Sequence, residues 1–383
     1  MQARLDGDWV DRGAERIGER LEREVAALVD VSSPSGDAEG AEAVIAVAIA
    51  LLPAEARIER LPCSSPDHAD DLLATVEGSG SGRLLLLGHL DTVISHADHH
   101  PVRAEGNRLY GPGTIDMKGG VAISLGILRL LASQPELYAE LALLLAVDEE
   151  WRQVPFVHAP RFFGWDACLC FEAGELNGEG EDAVVVARKA AGTVEIHADG
   201  VASHSGSEPD DGRSALLALS EIALRLAGRH DPDGPDRRSV VPTILRSGEA
   251  FNIVPGEGEL YVDARAASLE AIEELVAEVP AELGGVGLRA QMGRRWPAMD
   301  MVDAAREPLS RASELLGRPI IGAERGGASD ASHLAAGAEI LAIDGLGPLG
   351  AGSHAPDEHL LLDSLRPRTE VALALVAAVL GSD

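Results

Sequence analysis

Four apolar runs in this chain each stop at a residue type that binds metal ions, and a parallel sheet is the architecture that gives such stops a shared location. Arg83-Leu84-Leu85-Leu86-Leu87-Gly88 leads into His89-Leu90-Asp91, and Leu141-Ala142-Leu143-Leu144-Leu145-Ala146-Val147 into Asp148-Glu149-Glu150. Ala167-Cys168-Leu169-Cys170-Phe171 leads into Glu172, and Ile340-Leu341-Ala342-Ile343 into a glycine-rich loop ending at Ser353-His354. A short apolar run bounded by turn residues reads as a strand buried on both faces of a parallel sheet. Ligands of such sheets bind beyond the carboxyl ends of the strands, so these imidazoles and carboxylates are expected to converge.

Bulk properties narrow the class. A chain of 383 residues exceeds the size at which one hydrophobic core keeps growing, so two domains are expected. Lys and Arg total 32 against 63 Asp and Glu, a net charge of −31 that repels phosphate backbones and anionic lipid. Nucleic acid and membrane partners are therefore not expected, and solubility is the plain reading of the acidic surface. Cys63, Cys168 and Cys170 are too few and too irregularly placed for a disulfide framework, which suits a reducing cytoplasm. Cys168 and Cys170 alternate along an expected buried strand, where thiols pack as small hydrophobes. Met1 to Arg23 mixes charges of both signs, lacks the apolar core of a signal peptide, and reads as an amphipathic helix continuing through Leu28. No run approaches the ~18 apolar residues that a membrane span requires.

The first half alternates helix-period and strand-period segments, the pattern of an α/β fold with a mainly parallel central sheet flanked by helices. Glu39–Leu52 and Gly119–Ser133 are expected helices; Asp71–Glu77, Arg83–Gly88, Glu140–Val147 and Ala167–Phe171 are expected strands. No helix follows the turn Gly78-Ser79-Gly80-Ser81-Gly82, so it reads as a hairpin connection between two strands and not as a phosphate loop. From Lys189 the order becomes β-α-β-β-α-β: strand Thr193–Asp199, helix Ser214–Ala227, strands Val240–Arg246 and Glu259–Arg265, helix Leu269–Leu283, strand Leu288–Gly293. That order matches a ferredoxin-like split βαβ unit. Beyond Pro297 the α/β pattern resumes, with helices Ala304–Leu316 and Arg368–Leu380 around the Ile340 strand. A second domain, residues 189–297, is thus inserted between two parts of the first, 1–188 and 298–383.

His89 and Asp91 make sense as a ligand and the carboxylate that orients it, since a neighbouring carboxylate fixes the imidazole tautomer and raises its basicity. Asp116 lies between a Gly/Pro turn and a helix start in Gly111-Pro112-Gly113-Thr114-Ile115-Asp116-Met117-Lys118-Gly119-Gly120, a place that equally suits a helix N-cap. Glu149 and Glu150 stand adjacent at the mouth of a buried strand, where they repel each other unless a cation or proton intervenes. Together His89, Asp116, Glu150, Glu172 and His354 offer five ligands at one sheet edge. One tetrahedral ion needs three protein ligands, whereas two ions sharing a carboxylate need five, which leaves Glu149 free as a base.

With these motifs the chain resembles the co-catalytic zinc amidohydrolases that include glutamate carboxypeptidases of the carboxypeptidase G type, succinyl-diaminopimelate desuccinylase, acetylornithine deacetylase and aminoacylases. The resemblance rests on Gly88-His89-Leu90-Asp91-Thr92-Val93, Gly111 to Gly120, Asp148-Glu149-Glu150, Arg188-Lys189 and Ser203-His204-Ser205-Gly206. It continues through Asn252-Ile253-Val254-Pro255, Gly327-Ala328-Ser329-Asp330 and Gly345-Leu346-Gly347-Pro348, so it covers nearly the whole chain. It implies two zinc ions per chain, with cobalt or manganese as substitutes. His89 and Glu172 would hold one, Glu150 and His354 the other, with Asp116 bridging. Asp91 would orient His89, and Glu149 would serve as general base for attack by a metal-bound hydroxide on an amide. The inserted domain would be a lid that also forms a homodimer, with His204 stabilising the oxyanion in the partner's site. His204 read alone is a polar turn residue. Asn252, Arg265 and Ser329 resemble substrate-contacting positions. Arg265 is suited to a bidentate grip on a carboxylate, or to an ordinary ion pair with Asp263 or a neighbouring Glu.

Departures are local. Trp151-Arg152-Gln153 and Pro155-Phe156-Val157-His158 follow Glu150 where the family has small residues, which reshapes the pocket. His96, His99 and His100 lie outside the family pattern and read as a solvated loop. The leading expectation is a carboxypeptidase-like hydrolase of small peptides or N-acyl amino acids, nearest the glutamate carboxypeptidase branch through Gly345-Leu346-Gly347-Pro348 and His354-Ala355-Pro356-Asp357-Glu358. A biosynthetic deacylase is the alternative, and a non-catalytic peptide-binding protein on the same fold a remote one. No G-x-S-x-G elbow occurs and the cysteines lie inside a strand, which disfavours serine or cysteine hydrolases.

Overall fold

A computed structural model describes residues 5–336 and 340–381. The first four residues of the expected N-terminal helix lie outside that range; the helix itself is Gly7–Val29, capped by the Asp6 side chain, which accepts from Trp9 N–H. The central sheet has six strands in the order Arg57–Leu61, Asp71–Glu77, Glu140–Ala146, Arg83–His89, Ala167–Cys170, Leu341–Ile343. The last four run parallel to one another, and Asp71–Glu77 runs antiparallel to both of its neighbours. Helices Gly7–Val29, Lys118–Ala132 and Leu365–Leu380 pack their apolar residues into one core with this sheet.

One connection differs from expectation. Asp71–Glu77 and Arg83–His89 are not hairpin partners, because Glu140–Ala146 lies between them, with Leu144 opposite Leu73 and Leu143 opposite Leu86. The glycine-rich turn wraps around the chain entering that middle strand: Gly78 N–H donates to Ala139 O and Gly80 N–H to Tyr138 O. A strand as apolar as Leu141–Leu145 gains most where both faces and both edges are covered, and the centre of the sheet provides that.

A separate four-stranded layer lies outside the strands expected from the sequence pattern. Asp182–Arg188 pairs with Glu175–Leu176, Met299–Asp300 and Ile320–Arg325. Its charged ends hide it from pattern reading, and each finds a distant partner. Asp182 meets Arg368 at 3.2 Å and Arg318 at 2.9 Å, while Arg188 meets Asp344 at 2.7 Å.

The second unit is an antiparallel sheet ordered Ser239–Ser247, Glu257–Ala266, Ala190–Asp199, Val286–Trp296, Glu282–Leu283. This is the strand order of a split βαβ unit, each of the two crossovers being made by a helix, Ala215–Ala227 and Leu269–Ala277. It has its own core of Val194, Ile196, Leu219, Ile222, Leu260, Val262, Ile272 and Leu275. The second helix stops at Ala277 and not at Leu283, because Pro280 cannot continue it, and Glu282–Leu283 joins the sheet instead.

Helix Lys118–Ala132 crosses the sheet at very close range. A Cβ on Gly120 would stand 1.9 Å from the carbonyl oxygen of Phe171, a backbone atom that cannot swing aside. Gly120→Ala should therefore destabilise the fold by about 1–3 kcal/mol in urea unfolding and lower metal content, since Glu172 follows Phe171 directly. An unchanged midpoint with full metal content would show this contact to be slack.

Candidate active site

Three neighbouring parallel strands end at one sheet edge, and so His89, the Asp148-Glu149-Glu150 turn and Glu172 arrive together. His354 comes from the loop beyond the next strand, Leu341–Ile343, and Asp116 from the loop before helix Lys118–Ala132. Asp116 is the shared member. Its Oδ1 lies 3.3 Å from His89 Nε2 and its Oδ2 3.2 Å from His354 Nε2. Glu172 Oε1 is 3.8 Å from His89 Nε2, and Glu150 Oε2 is 3.0 Å from His354 Nε2. Ligand atoms of His89, Asp116 and Glu172 lie within 4.8 Å of one another, as do those of Asp116, Glu150 and His354. Two triplets with a carboxylate in common are the donor set that a pair of divalent ions takes.

Charge points the same way. Burial pushes the Glu149 carboxyl up to about 8, with the Asp330 and Glu150 charges adding to it. Burial likewise raises Glu172, helped by Asp116, and raises Glu150, helped by Asp116 and Asp91. Hydrogen bonds to Asp116 and Glu150 lift His354 to about 10. His89 is raised despite its burial by Asp116 and Asp91. Carboxylates drawn toward neutrality beside imidazoles drawn toward protonation form a cluster whose negative charge exceeds what its own side chains balance. Divalent cations fit it.

A further triplet of metal-ligand types, Cys63, Asp71 and Asp148, is of another kind. Asp71 accepts from Val147 N–H and meets His158 Nε2, while Asp148 accepts from Ser65 N–H and Arg152. Those carboxylates already have partners.

Three features hold the cluster. The Asp91 carboxylate lies 3.3 Å from His89 Nδ1 and accepts the backbone N–H groups of Glu149 (3.2 Å) and Glu150 (3.1 Å). That arrangement directs His89 Nδ1–H toward Asp91 and leaves the Nε2 lone pair for the cluster. Glu358 accepts from the backbone N–H groups of Gly113 (2.8 Å), Ile115 (2.9 Å) and Asp116 (3.1 Å), so a residue far along the chain shapes the loop presenting Asp116. His354 is held at φ +66°, a region few non-glycine residues adopt and one that recurs at functional sites.

The remaining expected residues fall elsewhere. His204 is exposed in a short pairing of Ser203–His204 with Ile253–Val254, and its Nδ1 accepts from Gly206 N–H (3.1 Å) and Ser207 N–H (3.0 Å). The proton is thereby assigned to Nε2, an outward-facing donor. Among the described residues its hydrogen bonds do not reach the ligand cluster. Asn252 brackets the same turn through its carbonyl, which accepts from Ser205 N–H. Arg265 is 3.2 Å from Asp263 and donates to Gly326 O, so it carries the ordinary ion pair. Ser329 is buried, with its hydroxyl donated to Asp344 at 2.6 Å.

Arg294 went unnoticed in the sequence. It has no ion pair or hydrogen bond among the described residues, its Nε is buried without a partner, and its guanidinium stacks 4.5 Å from the Trp296 ring centroid. Burial lowers its pKa, opposed most strongly by the Glu149 carboxylate. The sequence signal was only its place at the end of the Val286–Trp296 strand.

This fold and site define a metal-dependent hydrolase of amide bonds. The chain belongs to the peptidase family M20/M25/M40, whose profile matches residues 85–378. It is 27% identical to carboxypeptidase G2 of Pseudomonas sp. (strain RS-16) over 377 residues, covering 93% of this chain and 88% of that one. It is 30% identical to the succinyl-diaminopimelate desuccinylase of Xylella fastidiosa (strain M12) over 359 residues, covering 85% and 92% respectively. Among solved structures, a Staphylococcus aureus tripeptidase superposes with a TM-score of 0.77 at 20% identity, covering 95% of this chain and 99% of its own. A Bacillus subtilis dinuclear metal-binding peptidase of the M20 family does so with 0.70 at 14%, covering 96% and 99%.

Glu149→Gln should abolish turnover and spare metal content, because an amide cannot accept the water proton while the candidate ligands remain. Glu150→Gln should lower metal content instead. Elemental analysis of zinc-reconstituted protein checks this against an expected two equivalents per chain; equal metal loss in both variants reverses the two assignments.

Proposed function

We propose that this enzyme is a two-zinc exopeptidase or N-acyl amino acid hydrolase whose substrates carry a free carboxylate beside the cleaved amide. The observation carrying this reading is Arg294, whose guanidinium has no anionic partner among the described residues and stacks on Trp296, the ring that also packs against Arg152, itself bound to Asp148 beside Glu149. His89 and Glu172 would hold one ion, Glu150 and His354 the other, and Asp116 both. Held by these residues, the ions would supply Lewis acidity for the scissile carbonyl and for water. Glu149 takes the water proton as the oxygen joins the acyl carbon, then hands it to the amine nitrogen as the C–N bond breaks. Asp91 keeps His89 in one tautomer throughout.

Arg294 would bind the substrate carboxylate; Arg265, spoken for by Asp263 and Gly326, would support the loop beside it. Amidating that carboxylate should cost about 2 kcal/mol, roughly 30-fold in kcat/KM. Arg294→Ala should lose a similar factor on the acid and little on the amide. Equal turnover of acid and amide by the wild type removes the carboxylate requirement. The relatives named as desuccinylases support a deacylase as the second reading, and a panel of N-acyl amino acids against dipeptides separates the two.

Residues 189–297 would act as a lid and dimerisation domain. Strand Ser239–Ser247 is an unpaired sheet edge bearing exposed Val241, Ile244 and Leu245, and the adjoining helix exposes Leu217 and Leu224. A long apolar edge is a template for a second chain, and two copies meeting there form a closed, two-fold pair. His204 would then offer its Nε2 donor to the oxyanion in the partner's site. No helix of the described residues is long and apolar enough to cross a membrane, and the free cysteines support a cytoplasmic enzyme.

Sharing of the site has its own test. Inactive Glu149→Gln and His204→Ala homodimers, dissociated together and reassembled, should recover roughly a quarter of wild-type activity, since half the dimers are mixed and each has one intact site. Heterodimers confirmed by mass but no more active than their parents would place His204 in its own chain's site.

A further inference from the structure

Behind Glu149 lies a buried cation that neither binds the candidate ligands nor touches solvent. Arg152 donates through Nε to Asp148 Oδ1 (2.9 Å), through Nη2 to Asp330 Oδ2 (3.0 Å), and through Nη1 to Asp330 Oδ1. One guanidinium therefore satisfies two carboxylates, the arrangement that makes a buried charge tolerable. Its Cζ lies 4.5 Å from the Phe156 ring centroid and 5.4 Å from that of Trp296.

Trp296 is fully buried and closes the strand Val286–Trp296 of the second unit. Arg294 precedes it by two, at an irregularity in the strand pairing, and stacks on the Trp296 ring, which brings the two side chains to the same side. On the other side Asp148 directly precedes Glu149 and is tied back to Ser65 N–H at 2.9 Å. The chain of contact from Arg294 to Glu149 thus runs through Trp296, Arg152 and Asp148, crossing from the second unit into the first.

We infer that Arg152 and Trp296 are positioning residues that fix Arg294 relative to Glu149 and so set how strongly the enzyme selects substrates with a free carboxylate. This rests on the reading of Arg294 as the carboxylate anchor. A purely structural stack would, when weakened, lower stability and reduce turnover of acid and amide substrates alike. A positioning stack changes their ratio.

The experiment compares kcat/KM for one N-acyl amino acid and its amide in zinc-loaded wild type, Arg294→Ala, Trp296→Leu, Trp296→Phe and Arg152→Lys, with metal content measured for each. Arg294→Ala should erase the preference for the acid. Trp296→Leu and Arg152→Lys should each reduce it about 10-fold with metal content intact, the scale of a lost buried cation–π contact. Trp296→Phe, which keeps a ring under Arg294, should retain it within about 3-fold. Arg152→Lys keeps the buried charge, so it decides the matter if the leucine variant does not fold. Wild-type preference in either folded, metal-replete variant overturns the positioning role while leaving Arg294 as the anchor. Wild-type preference in Arg294→Ala overturns both.

Discussion

A single carboxylate organises the candidate site. Asp91 meets the far side of His89 with one oxygen, and between its two oxygens it accepts the backbone N–H groups of both Glu149 and Glu150. The candidate ligand of one ion, the candidate base and the candidate ligand of the other ion are thereby referenced to one buried group. Had Glu149 been held through its side chain, the carboxylate would be occupied; held through its N–H, it stays available for proton transfer. Orienting partners of this kind matter to metal sites nearly as much as the ligands they steer.

The sheet makes this possible at modest cost. Strands Glu140–Ala146, Arg83–His89 and Ala167–Cys170 are almost wholly apolar and fully covered, so the polar groups can gather only where the strands stop. Parallel register brings those stops to one edge. The same burial drives Glu149, Glu150 and Glu172 upward in pKa, and an added divalent charge would reverse the effect on the ligands. Stability and chemistry are opposed here: the strand ends are held rigidly by the apolar sheet so that mutually repelling carboxylates remain in place.

The sequence made much of this legible, for a definable reason. His89, Asp116, Glu149, Glu150 and Glu172 each lie within a few residues of a strand or helix boundary, and His354 lies in the loop that follows the Leu341–Ile343 strand; boundaries follow from hydrophobic period. The split βαβ order could be read the same way, down to which segments are helices. What escaped notice depends on contacts between distant segments. The insertion of Glu140–Ala146 between two strands expected to form a hairpin is a matter of edge burial, which alternation does not encode. Asp182–Arg188 hides because its end charges are satisfied by Arg368, Arg318 and Asp344. Glu358 stands in the His354–Glu358 motif, but its part in shaping the Asp116 loop has no local signature, since its three donors come from a loop more than two hundred residues earlier.

Arg265 and Arg294 show the limit most clearly. Both lie on strands of the second unit, and residue type alone favours neither as an anion anchor. Arg265 has Asp263 two positions away on the same face, a pairing visible in the sequence and kept in the fold. Arg294 has Trp296 at the same spacing, and an indole supports a guanidinium without neutralising it. The neighbour two residues on therefore decides which arginine keeps a free charge. Because Trp296 is also pressed against Arg152, the ring that stacks on Arg294 also ties it to the turn carrying Glu149. On the proposed reading, substrate selection and proton transfer would share one buried stack, and the Trp151–His158 segment supplies half of it through Arg152 and Phe156.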